Sequence, residues 1–346
     1  MATVDVTVMG AGAFGLSVAF ACAEKGARVR LIEKRHVGAG ASGGIVGALA
    51  PHTPENWNDK KAFQFDSLVL AEAFWRRVQQ ASGLSPGYGR TGRLQPIADA
   101  RAMDLAQARA ARAKDLWQGR ASWRVTPAAA FPDWAPHSPT GYLIHDTLTA
   151  RLHPAHACAA LAGALQALGA EITDSGPTQG LVLWATGYEG LRALSEELGR
   201  PVGNGVKGQA ILLAHDMRHQ PQLFADTLHF VPHADGTLAI GSTSEREFDT
   251  ADSTDAKLDD LLTRAITALP QLANAPILQR WAGVRPRARS RAPMLGHYPG
   301  RAGQFIANGG FKIGFGMAPK VAQVMADLML DGKDTVPDAF RVAASL

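Results

Sequence analysis

Residues 3–9, TVDVTVM, run into Gly10-Ala11-Gly12-Ala13-Phe14-Gly15 and then into the Ala-rich stretch Leu16–Lys25, which Gly26 stops; Arg28–Glu33, RVRLIE, follows. The β-branched alternation of 3–9 predicts a strand, 16–25 a helix, and 28–33 a second strand. A strand–turn–helix–strand unit of this length is the dinucleotide-binding half of a Rossmann-type sheet. Each glycine has a separate reason. Gly10 permits the tight turn, Gly12 lets backbone approach a pyrophosphate, and Gly15 lets helix and strand pack closely. The helix then offers free N–H groups and its positive dipole end to the phosphates, with Ala13 and Phe14 in the glycine turn that leads into it. Glu33, at the end of the second strand, is placed to accept from the adenosine ribose hydroxyls, with Lys34 beside it, and an acid there repels a 2′-phosphate.

This unit alone does not separate NAD from FAD. The next tract does. Gly38-Ala39-Gly40-Ala41-Ser42-Gly43-Gly44, continuing to Gly47-Ala48-Leu49-Ala50-Pro51, is made of small residues that let backbone lie against a bulky planar ligand, with Ser42 as a hydroxyl donor. Gly309-Gly310-Phe311-Lys312-Ile313-Gly314, before a C-terminal helix at about 318–331, is the second such element; it meets the pyrimidine edge of a flavin with small residues and a helix N-terminus. Ala185-Thr186-Gly187 ends a buried-type strand, Leu181–Trp184, and completes the expected cofactor wall.

These blocks resemble the D-amino-acid-oxidase superfamily of FAD-dependent oxidoreductases, nearest its glycine oxidase and sarcosine oxidase branch. VMGAGAFGLSVAF, GASGGIVGALAP, LVLWATG, FVPHADGTLAIGSTSE, WAGVRPRARSRAPMLG and NGGFKIGFGMAP occur in family order from residue 4 to about 330. The resemblance implies a mixed fold, α/β with α+β: an FAD-binding Rossmann-like domain of glutathione-reductase type, interleaved with an antiparallel-sheet substrate domain. On that pattern residues 1–85, 141–200 and 285–346 are expected to bind FAD, and 86–140 and 201–284 to form the substrate domain. The FAD contacts expected are Gly10, Gly12, Ala13, Phe14, Gly15, Glu33, Lys34, Ala41, Ser42, Gly47, Ala48, Leu49, Ala185, Thr186, Gly187, Gly310, Phe311, Lys312 and Ile313. No Cys lies beyond 158, where sarcosine oxidases attach their flavin, so non-covalent FAD is expected.

The resemblance also assigns roles around the substrate. Arg285 of Gly283-Val284-Arg285-Pro286 grips the substrate carboxylate with its two-pronged guanidinium. Lys312 stands where the glycine oxidase pattern has an Arg; it is either a second carboxylate contact, a cation beside the flavin, or a solvated helix-entry lysine. His229 stands where that pattern has a Tyr, and is either a hydrogen-bond donor to the carboxylate or a core histidine. Arg287, Arg289 and Arg291 read as a solvated basic strip. His52, just after the flavin tract, is a packing residue or lines the pocket. The expected reaction is oxidation of the C–N bond of a small amino acid (glycine, a D-amino acid or an N-alkyl glycine) to an imine, with oxygen or another acceptor receiving the electrons. Two alternatives stay open: trimming of carboxymethylaminomethyl-uridine in tRNA, which shares the N-substituted glycine, and a non-catalytic flavoprotein subunit.

Composition bounds the rest. A chain of 346 residues fits one large or two modest domains, and 46% hydrophobic against 19% charged residues supports a packed core. The net charge of +4 over that length is too mild to demand nucleic acid. Two cysteines, Cys22 and Cys158, exclude a disulfide framework and fit a cytoplasmic protein. No apolar run reaches the ~18 residues a membrane span needs. The scattered histidines lead to an expectation of no metal.

Overall fold

The computed structural model describes residues 4–346; Thr3, the first residue of the expected strand, lies outside them. Along the chain come β1 (Val6–Met9), α1 (Ala13–Glu24), β2 (Val29–Ile32), β3 (Ala48–Leu49), α2 (Asp59–Ser82), β4 (Arg93–Pro96) and α3 (Ala100–Leu116). Then β5 (Trp123–Pro127), β6 (Tyr142–Asp146), β7 (Ala150–Arg151), α4 (Pro154–Ala167), β8 (Glu171–Thr173), β9 (Leu181–Trp184), α5 (Gly187–Glu197) and β10 (Gly203–Ala214) follow. The chain ends with β11 (Gln222–Ala225), β12 (Leu228–Pro232), β13 (Thr237–Gly241), α6 (Ala256–Ala268), β14 (Ile277–Ala288), β15 (Met294–His297), β16 (Gln304–Asn308) and α7 (Gly314–Asp331).

Two sheets carry the molecule. The first has the order β15-β16-β9-β1-β2-β8. It is parallel throughout except for the edge pair β15–β16. β1 sits centrally and is buried, which its run of Val and Thr suits. α1, α2, α4 and α7 pack together over this sheet through one large apolar cluster, in which Phe20 and Phe74 meet edge to face at 5.8 Å. The strand pieces of this sheet come from the beginning, middle and end of the chain.

The second sheet has the order β14-β10-β13-β12-β11-β4-β6-β5, antiparallel except for β11–β4. Its two faces differ. Ile211, Leu213, Leu223, Phe230, Leu238 and Ile240 point to one side and pack under α6. The alternate residues point to the other side, where Ala210, Leu212, Val231 and Ala239 meet Ile45 of the glycine-rich tract. The inner face therefore looks toward the first sheet.

Several elements differ from the sequence expectation. Residues 88–97 read as strand-like in sequence, and Arg93–Pro96 is the strand within them; residues 63–81 read as an amphipathic helix, and α2 begins earlier, at Asp59, under an Asn58 cap. The long strand β14 contains the Gly-Val-Arg-Pro element, which sequence treats only as a motif. Pro286 is tolerated because β14 is the sheet edge, where a missing N–H costs no ladder bond. β6 pairs on both sides within the second sheet, although residues 141–200 were assigned to the FAD-binding unit.

Candidate active site

The glycine turn is built as its residue types require. Gly10 has φ +103°, and a Cβ there would lie 2.6 Å from the Ala185 carbonyl oxygen. A Cβ on Gly15 would lie 1.9 Å from the Gly10 carbonyl oxygen, so the helix could not seat on the turn. Two side chains hold the turn from outside. Glu33 Oε2 accepts from the Ala11 N–H at 3.0 Å, and Ser42 Oγ accepts from the Ala13 N–H at 2.9 Å. The Ser42 hydroxyl proton remains free to donate at the helix N-terminus. Gly47 lies so close to Leu152 that a Cβ would meet its carbonyl oxygen at 1.9 Å, which lays the small-residue tract flat on the chain before α4.

A cavity of about 1020 Å³ opens along this cradle. Gly10, Gly12, Ala13, Phe14, Glu33, Lys34, Ala41, Ser42, Gly47, Ala48 and Leu49 line it, as do Ala185, Thr186, Gly187, Gly310, Phe311 and Lys312. Of the expected cofactor residues, Gly15 sits behind the turn and Ile313 is off the wall. A backbone cradle that a Cβ would fill, a helix end whose own N-cap residue is a glycine and an acid near the second strand fit a dinucleotide such as FAD. Trp281, not anticipated from sequence, also lines the cavity. Its ring lies over Gly283, where a Cβ would come within 2.5 Å, and touches Gly44. Asn308 was missed as well; it donates to Gly187 O at 2.9 Å and accepts from the Gly309 N–H, tying the two glycine elements of the wall together. Only proximity in the fold marks these residues.

The substrate end is assembled by register. β14 and β10 pair Arg285 with Val206 and Gly283 with Gly208; β10 and β13 pair Ala210 with Gly241; β13 and β12 pair Gly241 with His229. Paired residues share a face, so Trp281, Arg285, Gly208 and His229 all lie on the inner one. An isolated bridge between Arg287 and Gly310 brings Lys312 to the end of β14. The turn that presents Lys312 is held in the left-handed region at Phe311, φ +46°, a conformation a bulky residue adopts only when its surroundings impose it.

Arg285 is 9% exposed. Its guanidinium lies flat over Gly208, where a Cβ would stand 1.9 Å from Nη2. It donates to Ser242 Oγ and, at 3.3 Å, to Thr243 O. Burial lowers it to about 10, partly offset by Glu245. Burial and the charges of Arg285 and Arg287 lower Lys312. Burial, then Arg93 and Lys312, push His229 down to about 3, and its Nδ1 has no partner. The structure thus brings Arg285, Lys312 and His229 into one electrostatic cluster, although His229 does not line the cofactor cavity itself. Arg93, the other cation acting on His229, is paired with Asp146 at 3.0 Å. Lys312 feels burial and two arginines with no carboxylate among its perturbers, and Arg285 feels burial with Glu245 as a partial counter-charge, so the pair can take a further anion. His52 is a packing residue: its backbone N–H donates to Gln64 Oε1, which its ring also contacts.

The model of the family described as "FAD dependent oxidoreductase" (DAO) matches residues 5–328. The chain is 27% identical to glycine oxidase of Pseudomonas putida, covering 97% of each chain. It is 26% identical to the bifunctional protein ThiO/ThiG of Nostoc sp., covering 96% of this chain but 53% of that one, so it spans about half the length of that relative. Among solved structures, glycine oxidase from Geobacillus kaustophilus superposes with a TM-score of 0.83 at 23% identity, over 96% of both chains.

Proposed function

The chain belongs to the DAO family of FAD-dependent oxidoreductases, and from that premise we propose that it oxidises the C–N bond of a small amino acid: glycine, a D-amino acid or an N-alkyl glycine. FAD, when bound, supplies the two-electron acceptor for the substrate's Cα hydrogen. The chain supplies position and electrostatics. The observation that carries the reading is Arg285: a buried guanidinium, held flat by Gly208, lining the cofactor cavity with most of its donors unspent. It takes the substrate carboxylate in a forked pair, and Lys312 supports the same anion from the other side. His229 stays neutral at physiological pH, so its part is hydrogen bonding and shape and not proton transfer.

In this reading Ser42 and the α1 N-terminus hold the diphosphate, Glu33 the ribose, and Gly47–Leu49 with Gly310–Lys312 the isoalloxazine, without a covalent link. The interleaved division is kept, with 1–85, 147–200 and 289–346 binding FAD and the rest binding substrate; Tyr142–Asp146 and all of β14 go with the sheet in which they pair. No helix among the described residues is long and apolar enough to cross a membrane. Two free, buried cysteines suit a reducing cytoplasm, and molecular oxygen is the proposed final acceptor.

The test is anaerobic mixing of the yellow protein with glycine, sarcosine, D-alanine, D-proline and other N-alkyl glycines. At least one bleaches the flavin. Arg285→Leu keeps its FAD and loses reduction rate by about a hundredfold or more, the range for unpairing a buried charge contact. Full activity in that variant, or no bleaching by any of these substrates, defeats the reading.

A further inference from the structure

A second cluster stands beside the cavity and takes no part in the reaction above. His153 caps α4 and His156 lies one turn inside it; their rings stack at 3.9 Å and 16°. His233 follows β12, and its ring centre is 4.6 Å from that of His153. Asp235 lies in the turn between β12 and β13. The ligating atoms of His153, His156 and Asp235 all fall within 4.8 Å of one another. His153 and His233 are buried, 8% and 1% exposed, and each has a ring nitrogen without a partner, Nδ1 and Nε2 respectively.

The hydrogen bonds fix what His233 offers. Thr237 Oγ1 donates its single proton to Asp235 Oδ1 at 2.8 Å, so it must accept from His233 Nδ1 at 3.0 Å. His233 is therefore the Nδ1–H tautomer, and its buried Nε2 is bare and without a partner. A hydroxyl and a carboxylate that orient an imidazole from behind are the usual support of a metal-binding histidine.

We propose that His153, His156 and Asp235, with His233 as fourth ligand, bind one first-row divalent metal ion of the zinc type. Imidazole nitrogens with a single carboxylate select such ions over magnesium or calcium, which take oxygen ligands. Zn–N distances of about 2.0–2.1 Å require the ligand atoms to draw closer than they stand now. The two outer ligands, His156 and Asp235, are exposed; Asp235 is held through Oδ1 by the Thr237 N–H and hydroxyl, and His156 is stacked on His153. Arg151, held on the Pro232 carbonyl, and the N-terminal end of α4 oppose a cation; Asp235 is the counter-charge. Arg218, the other nearby cation, is engaged by Asp216 in a forked pair. The ion would join α4, whose Pro154 and Ala155 line the cofactor cavity, to the hairpin of the substrate sheet.

The experiment is calorimetric titration of zinc chloride into the FAD-loaded, chelator-stripped protein without an affinity tag, with a thermal melt alongside. One saturable equivalent and a zinc-dependent rise in Tm are expected. The double variant His156→Ala/Asp235→Asn changes only exposed side chains, and its flavin spectrum and zinc-free Tm report that it is folded. Its zinc affinity should fall at least about tenfold and its Tm rise should vanish. No saturable uptake by the parent protein, or parent-like uptake by the double variant, overturns the proposal.

Discussion

The cofactor cradle and the inner face of the eight-stranded sheet border the same cavity but are made of different material. The cradle is backbone: Gly10, Gly15 and Gly47 approach neighbouring carbonyls so closely that no side chain fits, and Glu33 and Ser42 serve by bracing N–H groups. The sheet face is side chain: Arg285 and His229, joined at its end by Lys312, have their charge and donors largely unspent. Shape recognition from backbone is all or nothing. Recognition by charge is graded, because each cation adds its own share to the grip on one anion.

The sharpest test of that contrast is Gly15→Val. Its added carbons run into the Gly10 carbonyl, which is backbone and cannot yield. The expected outcome is a protein that retains essentially no FAD, read from the ratio of visible to ultraviolet absorbance. Gly208→Ala comes next and tests whether the sheet face also depends on a missing side chain. Here the obstructed group is the flexible end of Arg285, so the fold and FAD content should persist while kcat/KM falls by up to about a hundredfold. If Gly208→Ala lost FAD, the two regions would not be separable.

Lys312→Met is graded again, with kcat/KM down by about tenfold and the loss mainly in KM. The parent enzyme should lose substrate affinity as pH rises through the Lys312 pKa, which burial and two arginines hold below the ordinary lysine range. Lys312→Met should abolish that alkaline limb. The last effect concerns stability and leaves turnover aside. His229 has a folded-state pKa near 3 against about 6.5 when unfolded, so the unfolded chain binds the proton more tightly. Its contribution is flat above about pH 6.5. Between there and about pH 3 it costs roughly 1.4 kcal/mol per pH unit. Denaturant melts of the parent and His229→Gln should therefore diverge as pH falls from 7 to 5.

The same contrast governs what the sequence discloses. The cradle was legible because its parts are consecutive: Gly10 to Gly15, Glu33 eighteen residues on, and the run of small residues around Ser42. The hairpin reads from sequence in the same way, as strands over 228–233 and 237–243 about an Asp235-Gly236 turn, and the structure pairs Leu228–Pro232 with Thr237–Gly241. The inner face is a relation among strands far apart. Gly208 reads as an ordinary glycine until β14 lays Arg285 across it, and Trp281 carries no local mark of its place on the cavity wall. β14 was hidden by its own composition, since Pro286 and the surrounding arginines oppose a strand reading that only an edge position allows. His153 and His156, three apart at a helix start, were visible as residues, but His233 and Asp235 come from another sheet.

That edge position has one more consequence. A strand whose outer side is unpaired up to the Arg287–Gly310 bridge is a template on which a second chain could add. Ile277 and Leu278, 43% and 53% exposed, are where such an addition would begin. Pro286, with no N–H to offer, and the charged Arg287 interrupt it eight residues later. The segment that carries Arg285 would therefore also limit self-association, and substitutions that smooth 285–289 into a better strand should be expected to trade solubility for regularity.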